Sequence, residues 1–291
     1  MNKGFLVGLA VVCASGVASA AEGPTANRFA APNGQLGAGL SASPDQHARV
    51  FGELGYWHSE PASLHLNAFA WILGIGVKVV PHVELEAMLP MAFAEAGNSS
   101  SGDTAFGTGN LHVGGSYVKA DGPLRLKLGA AVEFGPWTND YESSSAAALL
   151  AAYYLHGGQD MGLWAPEALS FVAPMRLEYD AGVVLSADLT PGLHLPGNNA
   201  DAVVTVQVAP GVGYYVSDSA LIGLRTPLTL IMTSLDEDDF TLFSVEPYAR
   251  FDLSRNAFLN VRFTLNIDEP LGFSFDEGKA WGLHVGGGGT F

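Results

Sequence analysis

The chain has 291 residues, with 13 Lys and Arg against 29 Asp and Glu and a formal net charge of -16 at pH 7. Only 14% of its residues are charged, 48% are hydrophobic, and the mean hydropathy is +0.22. A soluble domain carries about 25% charged residues, an acidic disordered chain lacks apolar ones, and a nucleic-acid binder clusters Lys and Arg, so none of these classes fits and no nucleic-acid partner is expected.

At the N-terminus, Lys3 supplies a positive charge, Gly4 to Cys13 an apolar stretch, and Ala18-Ser19-Ala20 a small-residue cleavage site. This is the pattern of a cleavable export signal, predicting a signal peptide over 1–20 and a periplasmic leader over 21–33. The single cysteine, Cys13, falls inside the removed segment and follows Val12 rather than a small residue, so lipidation is not expected. A mature chain without cysteine holds neither a disulfide scaffold nor a thiolate metal site. No cofactor and no metal are expected. After residue 20 the longest wholly apolar runs are about ten residues, short of the ~20 that a spanning helix needs.

Most of the remaining chain fits period two. Candidate strands are 34–43, 48–59, 64–80, 83–94, 109–119, 123–136, 169–180, 182–196, 202–216, 219–233, 240–252, 256–267 and 280–291. Over 258–268, Leu259, Val261, Phe263, Leu265 and Ile267 alternate with Asn260, Arg262, Thr264, Asn266 and Asp268. Residues 124–134 and 245–253 repeat the pattern. Short connections with turn chemistry, namely Pro81-His82, Asp121-Gly122-Pro123, Ser217-Asp218-Ser219 and Ser254-Arg255-Asn256, tend to alternate with long ones at 95–108, 137–168, 195–201, 235–239 and 268–279. Strands of about ten residues, apolar outward and polar inward, with tight turns at one end and long loops at the other, describe a transmembrane β-barrel. A closed barrel is also the sheet that satisfies every backbone group in hydrocarbon. The fold class is therefore all-β, an antiparallel up-and-down transmembrane barrel over 34–291. Parity requires an even strand count. Discarding 34–43, which is Gly-rich and weakly alternating, gives twelve strands; a second turn hidden in 64–80 would give fourteen.

The last segment places Trp281, Leu283, Val285, Gly287, Gly289 and Phe291 on one face. In this it resembles bacterial outer-membrane β-barrel proteins, whose last strand commonly ends in an aromatic residue. The resemblance implies a Gram-negative outer-membrane location, contact with outer-membrane lipid and lipopolysaccharide, and recognition of Phe291 by the barrel insertion machinery as an assembly signal. A narrower likeness lies in Val83-Glu84-Leu85-Glu86-Ala87-Met88-Leu89-Pro90 followed, after a Gly/Ser-rich loop, by Phe106-Gly107-Thr108-Gly109-Asn110-Leu111-His112-Val113-Gly114-Gly115. These residues resemble the outer-membrane transporters related to the phenol meta-pathway barrels, with Asn110 where Asp is more usual. That likeness implies passage of hydrophobic or aromatic compounds.

Three features are candidates for function. By alternation, Arg125, Lys127, Arg176, Arg225, Arg250 and Arg262 point into the lumen, as do Glu84, Glu86, Glu133, Glu178 and Glu246. Walls of both signs build either a polar pore that orients solutes or a salt-bridged filling of a narrow barrel. Within 137–168, Ser143-Ser144-Ser145 precedes a run from Ala146 to Leu155, with Gly157-Gly158 after it. Ser caps, Ala and Leu propagate, and Gly terminates helices, so one helix is predicted here. Being apolar all round it must pack on something, and Leu149, Leu150, Tyr153 and Tyr154 make it a lid or constriction in the mouth, or a landing site for an apolar solute. Alternatively it caps the rim or lies at the membrane surface, where Trp164 would suit an interfacial girdle. Fourteen of the acids fall in 95–108, 137–168, 235–239 and 268–279, including Asp236-Glu237-Asp238-Asp239; they read as solvated outer loops rather than a calcium loop, for which the Gly and ligand spacing is missing.

No enzyme is indicated. The eight histidines are dispersed, with no His-x-x-x-His pair and no Gly-x-Ser-x-Gly elbow, and His112 and His284 read as lumen lining. The expected function is passive passage of a small solute through an outer-membrane channel. A structural or adhesive barrel with a closed lumen is the alternative, and an outer-membrane hydrolase a remoter one.

Overall fold

A computed structural model describes residues 47–60, 65–98, 101–135, 143–156, 158–165, 167–197, 201–233, 240–254, 256–267 and 280–291. The expected leader 1–33, the discarded segment 34–43 and the acidic stretches 236–239 and 268–279 lie outside the described residues. The strand segments are β1 (Ala48–Ser59), β2 (His65–Val80), β3 (Val83–Asn98), β4 (Ser101–Thr108), β5 (Leu111–Asp121), β6 (Leu124–Phe134), β7 (Ala168–Val172), β8 (Met175–Asp180), β9 (Val183–Pro196), β10 (Val203–Ser217), β11 (Ala220–Arg225), β12 (Leu228–Thr233), β13 (Phe240–Asp252), β14 (Ala257–Asn266) and β15 (Trp281–Thr290). All pairing is antiparallel between strands adjacent along the chain, the two segments of a broken strand sharing the same partners, and β15 pairs with β1, so the sheet closes on itself.

Three barrel strands are broken into two segments: β4 with β5 at Gly109-Asn110, β7 with β8 at Ala173-Pro174, and β11 with β12 at Thr226-Pro227. Proline has no N–H to give a ladder, yet pairing continues across both proline breaks, since Pro174 O accepts from Gly129 N at 2.8 Å and Pro227 O from Ser244 N at 3.0 Å. Counting each broken pair once gives a closed twelve-stranded up-and-down barrel. Residues 65–80 form one uninterrupted strand, which removes the basis for fourteen.

Side chains alternate strictly across the wall. On β14, Asn260, Arg262, Thr264 and Asn266 are buried inside while Val261, Phe263 and Leu265 lie outward and are less buried. On β9, Leu185, Leu189, Leu193 and Leu195 are exposed on the outer surface, an apolar belt of the kind that faces lipid. Aromatic residues gather at its long-loop end, where Trp281 contacts both Tyr56 and Phe263 with ring centroids within 5.6 Å. At the opposite end Tyr117 sits beside His82. The tight turns fall where expected: His82 takes φ 69° and Gly122 φ 56°, left-handed conformations that two- and three-residue hairpins require. Phe291 closes the seam by backbone pairing with Ala48 at 2.8 Å, its ring exposed.

Two expectations need correction. Residues 95–108 are mostly strand rather than loop, since β3 runs to Asn98 and β4 begins at Ser101. Gly and Asn are poor strand formers and Ser favours turns, which is why their run hides two paired strand ends from a reading by alternation. The 137–168 connection holds two helices, α1 (Ser143–Leu155) and a short α2 (Met161–Trp164), and the serines form the first turn of α1.

Candidate functional site

The inside of the barrel is built in three layers. Nearest the short-turn end, the guanidinium of Arg49 on β1 pairs with Glu84 and, at 2.6 Å, with Glu86, both on β3. Lys127 on β6 reaches Glu86 at 3.3 Å, and His112 on β5 meets Glu133 at 2.9 Å. In the middle, Arg225 holds Glu246 at 2.9 Å and Asp188 at 3.1 Å, Arg176 holds Asp188 at 3.0 Å and Glu178 at 2.8 Å, and Arg262 holds Glu53 at 2.9 Å. Arg250 pairs with Asp252 at 2.8 Å and lies over the Phe258 ring; Arg125 stands opposite Glu178 in the β6–β8 register. Burying ions is costly unless both signs are present and hydrogen-bonded. Strands that pair directly, or that stand one strand apart, supply those signs.

The third layer is the connection between β6 and β7, folded inward as a plug. Ala148, Leu149, Ala152, Leu155, Leu163 and Trp164 are each no more than 1% exposed, and α1 packs on β1, β2, β3, β4 and β15. Leu155 seats between Gly55 and Gly282, where an added Cβ would come within 2.6 and 2.8 Å of its methyl carbons. Glycine at both wall positions is what leaves room for the plug. Tyr153 is buried and Tyr154 stacks on Trp57, whereas Leu150 is 52% exposed and takes no part in the packing. Trp164 is not at an interfacial girdle: it lies inside, stacked on His156 with centroids 5.0 Å apart. A ten-residue apolar helix joined to the wall on both sides finds more apolar surface inside the mouth than on the rim.

Polar side chains fix the plug to the wall. At the break between β4 and β5, Asn110 is fully buried; its Nδ2 donates to Gly162 O at 2.7 Å, Ala165 O at 2.8 Å and Ala168 O at 3.1 Å, and its backbone N to Leu163 O at 2.8 Å. Gln159 donates to Glu246 at 3.1 Å and accepts from Arg225 at 3.4 Å. Asp160, in left-handed conformation at φ 56°, is buried, and burial pushes its carboxyl up to about 6, with His156 opposing the shift and Glu133 adding to it.

Of the charged residues expected inward, Lys127, Arg225, Arg250, Arg262, Glu84, Glu86, Glu133, Glu178 and Glu246 are buried and Arg125 and Arg176 are half-buried, and ion pairs join most of them. Sequence reasoning missed Arg49, Glu53, Asp188, Asn110, His156 and Gln159. Arg49 and Glu53 share their inward face with Phe51 and Trp57, so the polarity of β1 does not alternate cleanly; Asp188 stands inward on a recognised strand and was findable by its parity.

The sequence matches no protein-family model and no curated protein. Among solved structures, the barrel is similar to an outer-membrane channel from Pseudomonas putida F1, with TM-score 0.56 and 12% identity over 85% of this chain and 98% of that one. Weaker likenesses are to the β domain of the Bordetella autotransporter BrkA, at TM-score 0.47 and 11% identity over 84% and 100% of the two chains, and to the KdgM porin in complex with disordered oligogalacturonate, at 0.44 and 10% over 82% and 99%. The first of these supports the fold, a transmembrane barrel.

Proposed function

We propose that this protein is an outer-membrane channel for a small solute, gated by the inward-folded 143–165 plug. The observation that carries the reading is that the mouth of a charged lumen is filled by a loop insert that supplies no barrel strand. The wall therefore keeps its backbone ladder when the plug leaves. Three buried donors, Trp57 Nε1, Trp164 Nε1 and Tyr153 Oη, meet no acceptor among the described residues. Each unmet donor costs about 1–3 kcal/mol, so the seated plug is held less firmly than its burial alone would give. The apolar belt and the likeness to an outer-membrane channel support a membrane location. The charged lumen favours a polar or amphipathic solute. The apolar face of α1 and the resemblance in 83–115 favour one with a hydrophobic or aromatic part.

The test is planar-bilayer recording of the refolded protein against a variant in which 143–165 is replaced by a short Gly-Ser linker. Larger and more frequent conductance steps are expected in the variant, with ion selectivity shifted by Arg250→Glu. A plug-less barrel that inserts stably and passes no current refutes the channel and favours a structural barrel.

A further inference from the structure

We propose that Glu53 on β1, His284 on β15 and His156 in the plug form a binding site for a divalent transition metal of the Zn²⁺ class, tying the plug to the wall. Nothing in the charge pattern of the sequence brings these three together; the fold does.

The argument rests on where the protons must be. His156 Nδ1 lies 2.8 Å from Ala152 O and His284 Nε2 lies 3.0 Å from Leu155 O. A carbonyl can only accept, so each of these ring nitrogens carries the hydrogen. In neutral imidazoles the other nitrogens, His156 Nε2 and His284 Nδ1, are then bare lone pairs. Both point at one carboxylate oxygen, Glu53 Oε1, at 3.3 and 2.8 Å. His156 Nε2 is buried and meets no hydrogen-bond donor. Three lone pairs converging in a dry interior repel one another unless a cation sits among them, and here the Arg262 guanidinium is that cation, held to two of the three atoms. Imidazole rings oriented by a hydrogen bond from the far nitrogen to a backbone carbonyl are the usual second shell of metal-bound histidine. A tetrahedral ion with bonds of about 2.0–2.1 Å has ligand-to-ligand edges of roughly 3.3 Å, and the three donor atoms lie within 4.8 Å of one another. Two imidazoles and a carboxylate suit Zn²⁺ and neighbouring ions and leave a fourth position open.

The guanidinium of Arg262 competes for this place, since its Nη2 donates to Glu53 Oε1 at 2.9 Å and to His284 Nδ1 at 3.1 Å. Its other terminal nitrogen is 3.5 Å from Glu246 Oε1, the carboxylate toward which the guanidinium would turn when a metal enters. Removing Arg262 should therefore tighten metal binding, the opposite of its effect on a purely hydrogen-bonded cluster. Because His156 belongs to the plug and the other two ligands to the barrel seam, an occupied site would hold the plug shut. That consequence rests on the gated-channel reading, whereas the site itself does not.

The experiment titrates untagged, refolded protein in detergent with Zn²⁺ by calorimetry and with Co²⁺ by visible absorption. One ion per barrel is expected, with affinity falling at least about 100-fold in His284→Ala and Glu53→Gln, since loss of a mere second-shell partner costs about 10–100-fold. His112→Ala, which breaks a different buried His–Glu pair, should bind as the wild type does, and Arg262→Gln about 10-fold more tightly. Arg262→Gln also covers the case in which a ligand variant fails to fold, because added Zn²⁺ should raise its melting temperature. No binding by the wild type, or binding that survives both ligand substitutions, overturns the site, and so does an Arg262→Gln barrel that Zn²⁺ neither binds nor stabilises. A barrel that binds Zn²⁺ through these residues but never conducts refutes the channel and supports the site.

Discussion

Asn110→Asp changes one atom type at the plug's anchor and leaves shape untouched. In the native chain the Asn110 amide serves Gly162 O, Ala165 O and Ala168 O at 2.7–3.1 Å from a fully buried position. A carboxylate there removes both donors and turns an anion toward three carbonyl oxygens. Leaving a buried charge uncompensated costs about 3–5 kcal/mol, and every 1.36 kcal/mol is a factor of ten, so the seated population falls by roughly two to four decades relative to the released one. Asn110→Ala loses the donors without adding charge and should cost about 1–3 kcal/mol, about one to two decades. Two measurements check this: open probability in planar bilayers, and hydrogen-exchange protection of the α1 amides from Ala148 to Leu155. Both should move together and rank wild type, Ala, Asp. The barrel strands should keep their protection, since Asn110 sits at a break in the ladder. If Asn110→Asp shows wild-type protection in α1, the anchor is not what holds the plug, whatever the conductance does.

Leu155→Ala, emptying the seat between Gly55 and Gly282, should loosen the plug by about 2–5 kcal/mol, and Gly282→Val should expel it while the barrel still resists proteolysis. Arg225→Gln leaves Glu246 and Asp188 without their shared cation; a loss of about 3–5 kcal/mol in urea unfolding is expected, larger than for any rim charge. Leu189→Arg on the outer belt should destabilise the membrane-inserted barrel by up to about 2–4 kcal/mol, measured by folding into vesicles, whereas a like change at a solvated rim would cost little. Asp160 supplies a pH dependence with a definite sign. Its carboxyl is raised by burial to about 6 from an ordinary 3.8, so the seated plug carries a penalty of order 3 kcal/mol above about pH 6 that is gone below about pH 4. Protection of α1 should therefore rise as pH falls through 6, and Asp160→Asn should abolish that slope; an unchanged slope in the variant would clear Asp160 of the effect.

The barrel was legible because a lipid-facing wall writes period two into every strand: a charge outward is costly, a charge inward needs a partner, and the alternation of Leu259 to Asn266 records both demands. The plug was half legible. Ala and Leu at 146–155 announce a helix, but whether an apolar helix lies on the rim or in the mouth depends on small residues elsewhere, Gly55 and Gly282, that look like ordinary strand glycines until Leu155 is seen between them. Asn110 sat in plain view in a recognised stretch, yet its role depends on carbonyls more than fifty residues away.

The His–Glu–His constellation was the least legible, because its members stand at positions 53, 156 and 284 and only barrel closure brings β1 against β15. The same closure changes how the net charge is read. Of the fourteen acids assigned by sequence to the outer loops, Asp160 lies buried in the plug, where its charge is opposed rather than solvated. The lumen is thus not merely balanced between signs. In its middle and upper layers the plug completes the balance, through Gln159 beside Glu246 and Arg225, and through His156 beside Glu53. If the plug gates the lumen as proposed, ionic conditions inside the lumen can set its position, and a cation that replaces Arg262 at Glu53 would act on that balance directly.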